Sequence, residues 1–345
     1  MVGRSMRYVC ASTALLLAVA CRDQSSAPTE PQVSGPASFR TAFSGPPEVL
    51  RNAIIHRTVE AVAAERAARG GARPTKSKEL SYHGGTGGIG VETAPKVYLV
   101  LWGSQWNSND PSGEVSVLTG SDGKSGFLGG VGGSSWLKSV TQYCQGVASG
   151  TVFCGTSGAH AGNPSGILAG VWYDNATAAP THPTQSQLAA EAVSAAVHFG
   201  NTASGSNAST QYVIATAHNN NSSGFGTQYC AYHSSTSSSY GNVAYTNLPY
   251  ITDAGASCGA NFNGLGAKAG ITIVEGHELA ETVTDQFPSS GWLDGNGAEN
   301  GDKCAWISAG QGASADITLS TGTFPAQSLW SNIFNSNAGG CVLTS

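Results

Sequence analysis

His277, Glu278 and Glu281 lie in "VEGHELAETVTDQF", residues 274–287, a stretch that also carries Glu275 and Asp285. Residues four apart on a helix share a face, about one turn from each other, so an imidazole nitrogen of His277 and a carboxylate oxygen of Glu281 can reach one ion. This is the pairing of H-E-x-x-H with the second histidine replaced by a carboxylate. Glu278 takes the place of a general base beside metal-bound water. The same spacing makes like charges neighbours on the helix surface, which destabilises it modestly. With few lysines or arginines nearby, the compensation has to be burial with protonation, hydrogen bonding or a bound cation. The motif is short, and its structural counterpart is a solvated acidic helix face with a core histidine.

A third ligand has to come from outside this helix. "SSGWLDGNGAENGDKCAW", 289–306, places Asp294, Asn296, Glu299 and Asp302 in a glycine-rich turn beside Cys304, with Glu299 or Asp302 as the candidate ligand. His233 in "CAYHSS" is an additional candidate. Asp294, Asn296 and Glu299 also have a spacing that suits Ca²⁺. His277 favours Zn²⁺ and the carboxylates favour Ca²⁺ or Mn²⁺, so zinc is the expected cofactor and calcium its alternative. Serine chemistry at "GTSGAH" fails, because Ser157 lacks the G-x-S-x-G turn between strand and helix. "GGTGGIG" at 84–90 lacks the Lys-Ser/Thr of a phosphate loop. Trp102, Trp106 and Trp136 could stack on sugars, but core packing is the commoner fate of tryptophan beside apolar strands.

The elements that would position these residues form an α/β pattern. "KVYLVLW" (96–102), "ILAGVWY" (167–173), "QYVIATA" (211–217) and "GTQYCAYH" (226–233) read as strands. "TQSQLAAEAVSAAVHFG" (184–200) reads as a helix capped by Thr184, and a further helix is expected around "SSWLKSVTQYCQG". The site helix has an apolar side that includes Ile273, Leu279, Ala280 and Val283. Strands alternating with helices predict one α/β domain at 95–345, with a mixed sheet flanked by helices and a metallopeptidase-like central helix. The glycine- and serine-rich loops at 201–209 and 234–241 are read as connections. Before the domain come a single amphipathic helix at 47–69, as a stalk or pro-segment, and a Gly-rich linker at 70–94.

Charged residues make up 11% of the chain, against about 25% in an average domain. With 16 lysines and arginines scattered along it and a net charge of -5, there is no basic stripe for nucleic acid. Arg4 and Arg7 precede an apolar run ending "LLLAVAC", which reads as a signal peptide over 1–20 followed by a flexible tether at 21–46. Cys21 follows an approximate lipobox. If it carries lipid, Cys144, Cys154, Cys230, Cys258, Cys304 and Cys341 remain, an even set for disulfides in an oxidising compartment. Nearness along the chain suggests the pairs 144–154, 230–258 and 304–341. The expected protein is exported, either secreted or held at the cell envelope by a lipid on Cys21.

"GHELAETVTD" and "GWLDGNGAENGDKCAW", with "YCAYHS", "NLPYITDAGASCG", "KVYLVLWGSQW" and "WLKSVTQYC", resemble bacterial relatives of the EXORDIUM or phosphate-induced protein 1 family over about 95–345. Glu299, Gly301, Asp302, Lys303 and Cys304 match the Glu-x-Gly-Asp-Lys-Cys segment of those relatives. Gln286 stands in place of their proline and Leu293 in place of a tyrosine. The plant members are extracellular growth-related proteins without the His-Glu pair, so the resemblance implies export and fold rather than a peptidase. Two functions follow as expectations. One is a zinc-dependent hydrolase of protein or peptide, with His277, Glu281 and Glu299 on the ion, Asp302 as an alternative ligand, and Glu278 activating water. The other is a non-catalytic protein that binds an envelope component or polysaccharide and uses a structural cation.

Overall fold

The computed structural model describes residues 48–69 and 78–344. The expected signal segment, Cys21 and the tether at 21–46 lie outside the described residues. Six strands form one mixed sheet: β1 (Ala53–Arg57), β2 (Lys96–Trp102), β3 (Leu168–Asp174), β4 (Thr210–Thr216), β5 (Tyr229–Ser238) and β6 (Gly241–Leu248). Their order across the sheet is β1-β5-β6-β4-β2-β3. The block β6-β4-β2-β3 is parallel, while β5 runs antiparallel to β6 and β1 antiparallel to β5. The mixed α/β architecture expected from the sequence is therefore present.

Alternation along the strands sorts side chains between two layers. Val97, Leu99 and Leu101 of β2, with Val213 and Ala215 of β4, join the larger core, while Val100, Tyr212 and Ile214 face the other way. The second face is covered by α2 (Gln185–His198) through Leu188, Ala192, Ala195 and Ala196. Thr184 caps α2 in a capping box with Gln187, satisfying donors that the first turn leaves open. Truncating a fully buried leucine such as Leu99 to alanine should cost about 2–5 kcal/mol.

The first face is covered by α3 (Ala269–Thr284), and here the amphipathic expectation is corrected. Each of its 16 residues is buried, so no solvated acidic face exists. Beyond α3 lies a further layer: Phe127 and Trp136 press on Gly276, and Thr272 Oγ1 donates to the carbonyl of Pro325 at 2.6 Å. A helix buried all round normally carries apolar residues on every face. This one carries Glu275, Glu278 and Glu281, at no exposure.

Three further expectations change. The helix at 47–69 divides into β1 and a helix, α1 (Val59–Arg69), because the β-branched pair Ile54-Ile55 pairs with the edge of β5 instead of continuing a helical face. Residues 78–94 of the expected linker are built into the domain: Ser81–Tyr82 pairs with Trp292–Leu293, Leu80 is fully buried, and the N–H of Glu92 donates to Val283 at 2.8 Å. Residues 234–241 are mostly strand, because they form the β5–β6 hairpin. The stretch around 137–142 is a 3₁₀ helix. Three disulfides, Cys144–Cys154, Cys230–Cys258 and Cys304–Cys341, join the nearest cysteines in sequence. No helix among the described residues is long and apolar enough to cross a membrane.

Candidate metal centre

The site lies where α3 passes beneath the antiparallel edge of the sheet. His277 and Glu281, one turn apart, bring Nε2 and Oε1 to 3.0 Å. Asp302, at the start of the 3₁₀ turn Asp302–Cys304, places Oδ1 4.0 Å from the same Nε2, and its own N–H donates to Glu281 Oε1 at 2.8 Å. Ligand atoms of His277, Glu281 and Asp302 all lie within 4.8 Å of one another. Gly301 allows this approach: a Cβ there would stand 2.8 Å from His277 Nδ1 and 2.9 Å from Glu281 Oε1.

On the other side of Glu281 stands His233, carried by β5. Its Nδ1 is 3.2 Å from Glu278 Oε2 and 3.7 Å from Glu281 Oε2, and its Nε2 is 3.5 Å from Glu299 Oε2. His233, Glu278 and Glu281 form a second group with ligand atoms within 4.8 Å. Glu281 is thus common to both groups, one oxygen turned to each histidine. Glu299 does not join the His277 group. It lies beside Glu281 and Asp285 and closes the far side of the cluster. Asp285 ends α3, and its carboxylate accepts the N–H groups of Ser289, Ser290 and Gly291, which holds the turn into Trp292–Leu293. Gln286 donates to the carbonyls of Asn207 and Thr210.

The alternative calcium loop is not assembled. Asp294 accepts the N–H groups of Asn296 and Ala298 and pairs with Lys303 at 3.0 Å, while Glu299 is turned to the buried cluster. Trp106 and Trp136 are core residues, as the commoner fate of tryptophan beside apolar strands predicts.

Burial dominates the electrostatics. No lysine or arginine among the described residues forms an ion pair with Glu275, Glu278, Glu281 or Glu299. Burial pushes the Glu275 carboxyl up to about 8. Glu278 is held well above the usual carboxylate range by burial and then by the charges of Glu281, Asp302 and Glu275. Glu299 is raised in the same way, with Glu281 and Asp285 as its neighbours. Burial and Glu281 lift Asp302 to about 7. For Glu281, burial is outweighed by His277 and His233, and its carboxyl stays below the ordinary value. For His277, burial is outweighed by Glu281, Asp302 and Gln327, which favour the imidazolium. His233 is lowered to about 4 by burial, against the pull of Glu281, and is therefore a neutral imidazole. Without an ion, then, the cluster is a buried His277–Glu281 pair surrounded by carboxyls pressed to hold their protons.

Two residues of the site escaped the sequence reading. Gln327, in the turn between the strands Gly322–Ala326 and Leu329–Ser331, places Oε1 3.2 Å from His277 Nδ1. Its separation of 50 residues from the helix leaves no local signal. His56, on β1, stacks flat on His277 with ring centroids 3.7 Å apart, and its other face meets Trp306 at 4.8 Å. The alternation of Ile54 and His56 in a β-branched stretch was the signal that could have found it.

The arrangement can hold one divalent cation between a neutral imidazole and two carboxylates, with a further carboxylate adjacent. Comparison with known protein families, with curated proteins and with solved structures gives no match for this chain.

Proposed function

We propose that this protein is an exported zinc-dependent hydrolase acting on protein or peptide, in which His277, Glu281 and Asp302 hold the ion and Glu278 takes a proton from the water it activates. The observation that carries the reading is the convergence of His277, Glu281 and Asp302 within 4.8 Å, with Glu278 one residue along the same helix and its Oε1 left without a hydrogen bond. Burying carboxylates without partners costs several kcal/mol each, and a divalent ion offsets that cost while favouring their ionised forms. Zinc lowers the pKa of bound water and polarises a carbonyl. Two carboxylate ligands would donate more negative charge than two histidines, so a zinc ion held by His277, Glu281 and Asp302 would be a weaker Lewis acid than one at a three-histidine site, and slow turnover would follow. His233, neutral and facing Glu278, orients that carboxylate.

The disulfides agree with an oxidising compartment, and a lipid on Cys21 is the proposed anchor. Membership of the EXORDIUM family is proposed on the motifs at 276–285 and 291–306. A second reading, a binding protein with a structural cation, is favoured by one observation: His277, Glu278, Glu281 and Glu299 have no exposure.

Glu278→Gln separates the two. With zinc bound, the hydrolase reading expects the variant to keep its ion and fold and to lose at least about a hundredfold in cleavage of unstructured polypeptides. A zinc-loaded wild type that cleaves nothing in a polypeptide library, even with residues 48–69 released, leaves the structural-cation reading in its place.

A further inference from the structure

β1 is the outermost strand, and it contributes the side chain that closes the site. Its register sets Ile54 opposite His233 and His56 opposite Ala231, with a bulge between His56 and Arg57. Ile54 and His56 therefore point to the α3 side, while Ala53 and Ile55 pack on the α2 side. His56 is fully buried, and neither of its ring nitrogens has a hydrogen-bond partner. Its ring covers the face of His277. Ligand atoms of His56, His277 and Glu278 fall within 4.8 Å. An imidazole normally finds a partner when buried, so an unpartnered one aimed at a candidate metal centre marks a place made for something else.

The rest of the segment is only partly buried. Among the described side chains of α1 only Val62 is buried, and most face solvent. Its attachments combine partly buried apolar side chains, Leu50, Ala53 and Ile55 on the α2 side and Val59 on the α3 side, with polar contacts: Arg66 donates to the carbonyls of Ala305 and Trp306, Trp306 Nε1 to the carbonyl of Arg57, Ser234 Oγ to the carbonyl of Asn52, and Gln185 Nε2 to the carbonyl of Arg51. Taking the segment away leaves β5 as an edge whose free N–H and C=O groups accept an extended chain, the mode called strand addition.

We infer that the outer edge of β5 is a binding groove for an extended polypeptide running antiparallel to it, and that residues 53–57 of this chain occupy the groove as an internal inhibitor with His56 in the position of the residue presented to the ion. The inference rests on the proposed hydrolase for the meaning of the occupant, since a peptide at this edge lies across Glu278 and His277. The groove itself is defined by pairing and burial alone. Alternate residues of the occupant enter the site, so the chemistry it selects is a flat or aliphatic side chain at the position of Ile54 and a ring that stacks on an imidazole at the position of His56.

The test uses the full chain with the recognition sequence of a site-specific protease placed within residues 70–77, folded, loaded with zinc and then cut. In the uncut protein the segment competes from the same chain at an effective concentration of order millimolar. After cutting and dilution, the inference expects the segment to leave, a chelator to withdraw the ion at least about tenfold faster, and a labelled synthetic peptide of residues 48–66 to bind only the cut protein. The peptide with His56→Ala should bind about tenfold or more weakly, and one with both Ile54→Pro and Ile55→Pro, where alternation turns one of the two N–H groups toward β5, should not bind. A cut segment that stays on the domain through dilution overturns the inference. So does a released segment that leaves chelator access unchanged, or a peptide that binds cut and uncut protein alike. If the groove opens and binds peptide but the zinc-loaded protein hydrolyses none, the hydrolase reading fails while the groove stands.

Discussion

The Nδ1 of His277 meets Oε1 of Gln327 at 3.2 Å, and the same amide sends its Nε2 to the carbonyl of Gly301 at 2.9 Å. An amide oxygen only accepts, so this contact places the imidazole proton on Nδ1 and leaves Nε2 toward Glu281 and Asp302. Partners of this kind fix the orientation of a ligating imidazole, and losing one typically costs 10–100-fold in metal affinity. Gln327→Met should therefore weaken zinc binding by about that factor while the far-ultraviolet circular dichroism stays unchanged. Competition with a chromogenic chelator measures it, and an unchanged affinity would remove Gln327 from the site.

Gly301 tests the close approach. Its φ of −74° and ψ of −46° suit any residue, so the effect of Gly301→Ala is steric alone. The added methyl meets the ends of the His277 and Glu281 side chains at under 3.0 Å. Overpacking of this kind costs about 1–3 kcal/mol. Because those two side chains are the ones displaced, we expect the loss mainly as roughly 10–100-fold weaker ion binding. Calorimetric titration of the variant reads it directly.

How much of this was legible in the sequence depends on whether the determining contact is local. β2 and α2 were, because six apolar residues in a row, 97–102, and a Thr184 cap carry their own signal. The disulfides followed nearness along the chain, with separations of 10, 28 and 37 residues. His277 and Glu281 were legible from helical spacing, while of the two third ligands offered by the adjacent turn the structure brings Asp302, the alternative, rather than Glu299 to the His277 group. β1 was misread as helix because its fate is decided by the edge of β5, far away in sequence. The burial of α3 on every side was missed because the layer beyond it comes from distant segments, Phe127 and Trp136 among them.

The Cys304–Cys341 bridge closes a loop over 37 residues that includes Gln327 and begins beside Asp302. The chain-entropy relation assigns such a loop about 4 kcal/mol of stability. Replacing both cysteines by alanine should lower unfolding stability by about 2–5 kcal/mol and also weaken the ion, since both Asp302 and Gln327 lose a restraint. Urea denaturation with and without zinc separates the two effects. An equal loss with and without zinc would mean that the bridge does not brace the site.

Away from the cluster, burial pushes the Glu92 carboxyl up to about 8, against the donation of Gln211 Nε2. A folded-state value above the unfolded one means that the native protein holds the extra proton between about pH 4.5 and 8. Its contribution is then full below about 4.5 and is lost as pH rises through that window, at about 1.4 kcal/mol per unit. Glu92→Gln removes the titration. Relative to the wild type, the variant should gain stability steadily from pH 5 to pH 8, to about 3 kcal/mol near pH 7. Parallel stability profiles for the two proteins would contradict the assignment.

The claim on which all else depends is that the buried cluster of His277, Glu281 and Asp302 is a metal centre, and metal stoichiometry tests it most directly. Purified protein is unfolded in a chelator, refolded with zinc at pH 7.5, freed of excess ion and submitted to elemental analysis beside His277→Ala and Glu281→Gln. The account predicts close to one zinc per wild-type chain and almost none in either variant. It also predicts a fall in occupancy as pH drops below 7, where Asp302, raised to about 7, takes up a proton. A wild type that folds and holds no ion, or a His277→Ala chain that holds as much as the wild type, contradicts it.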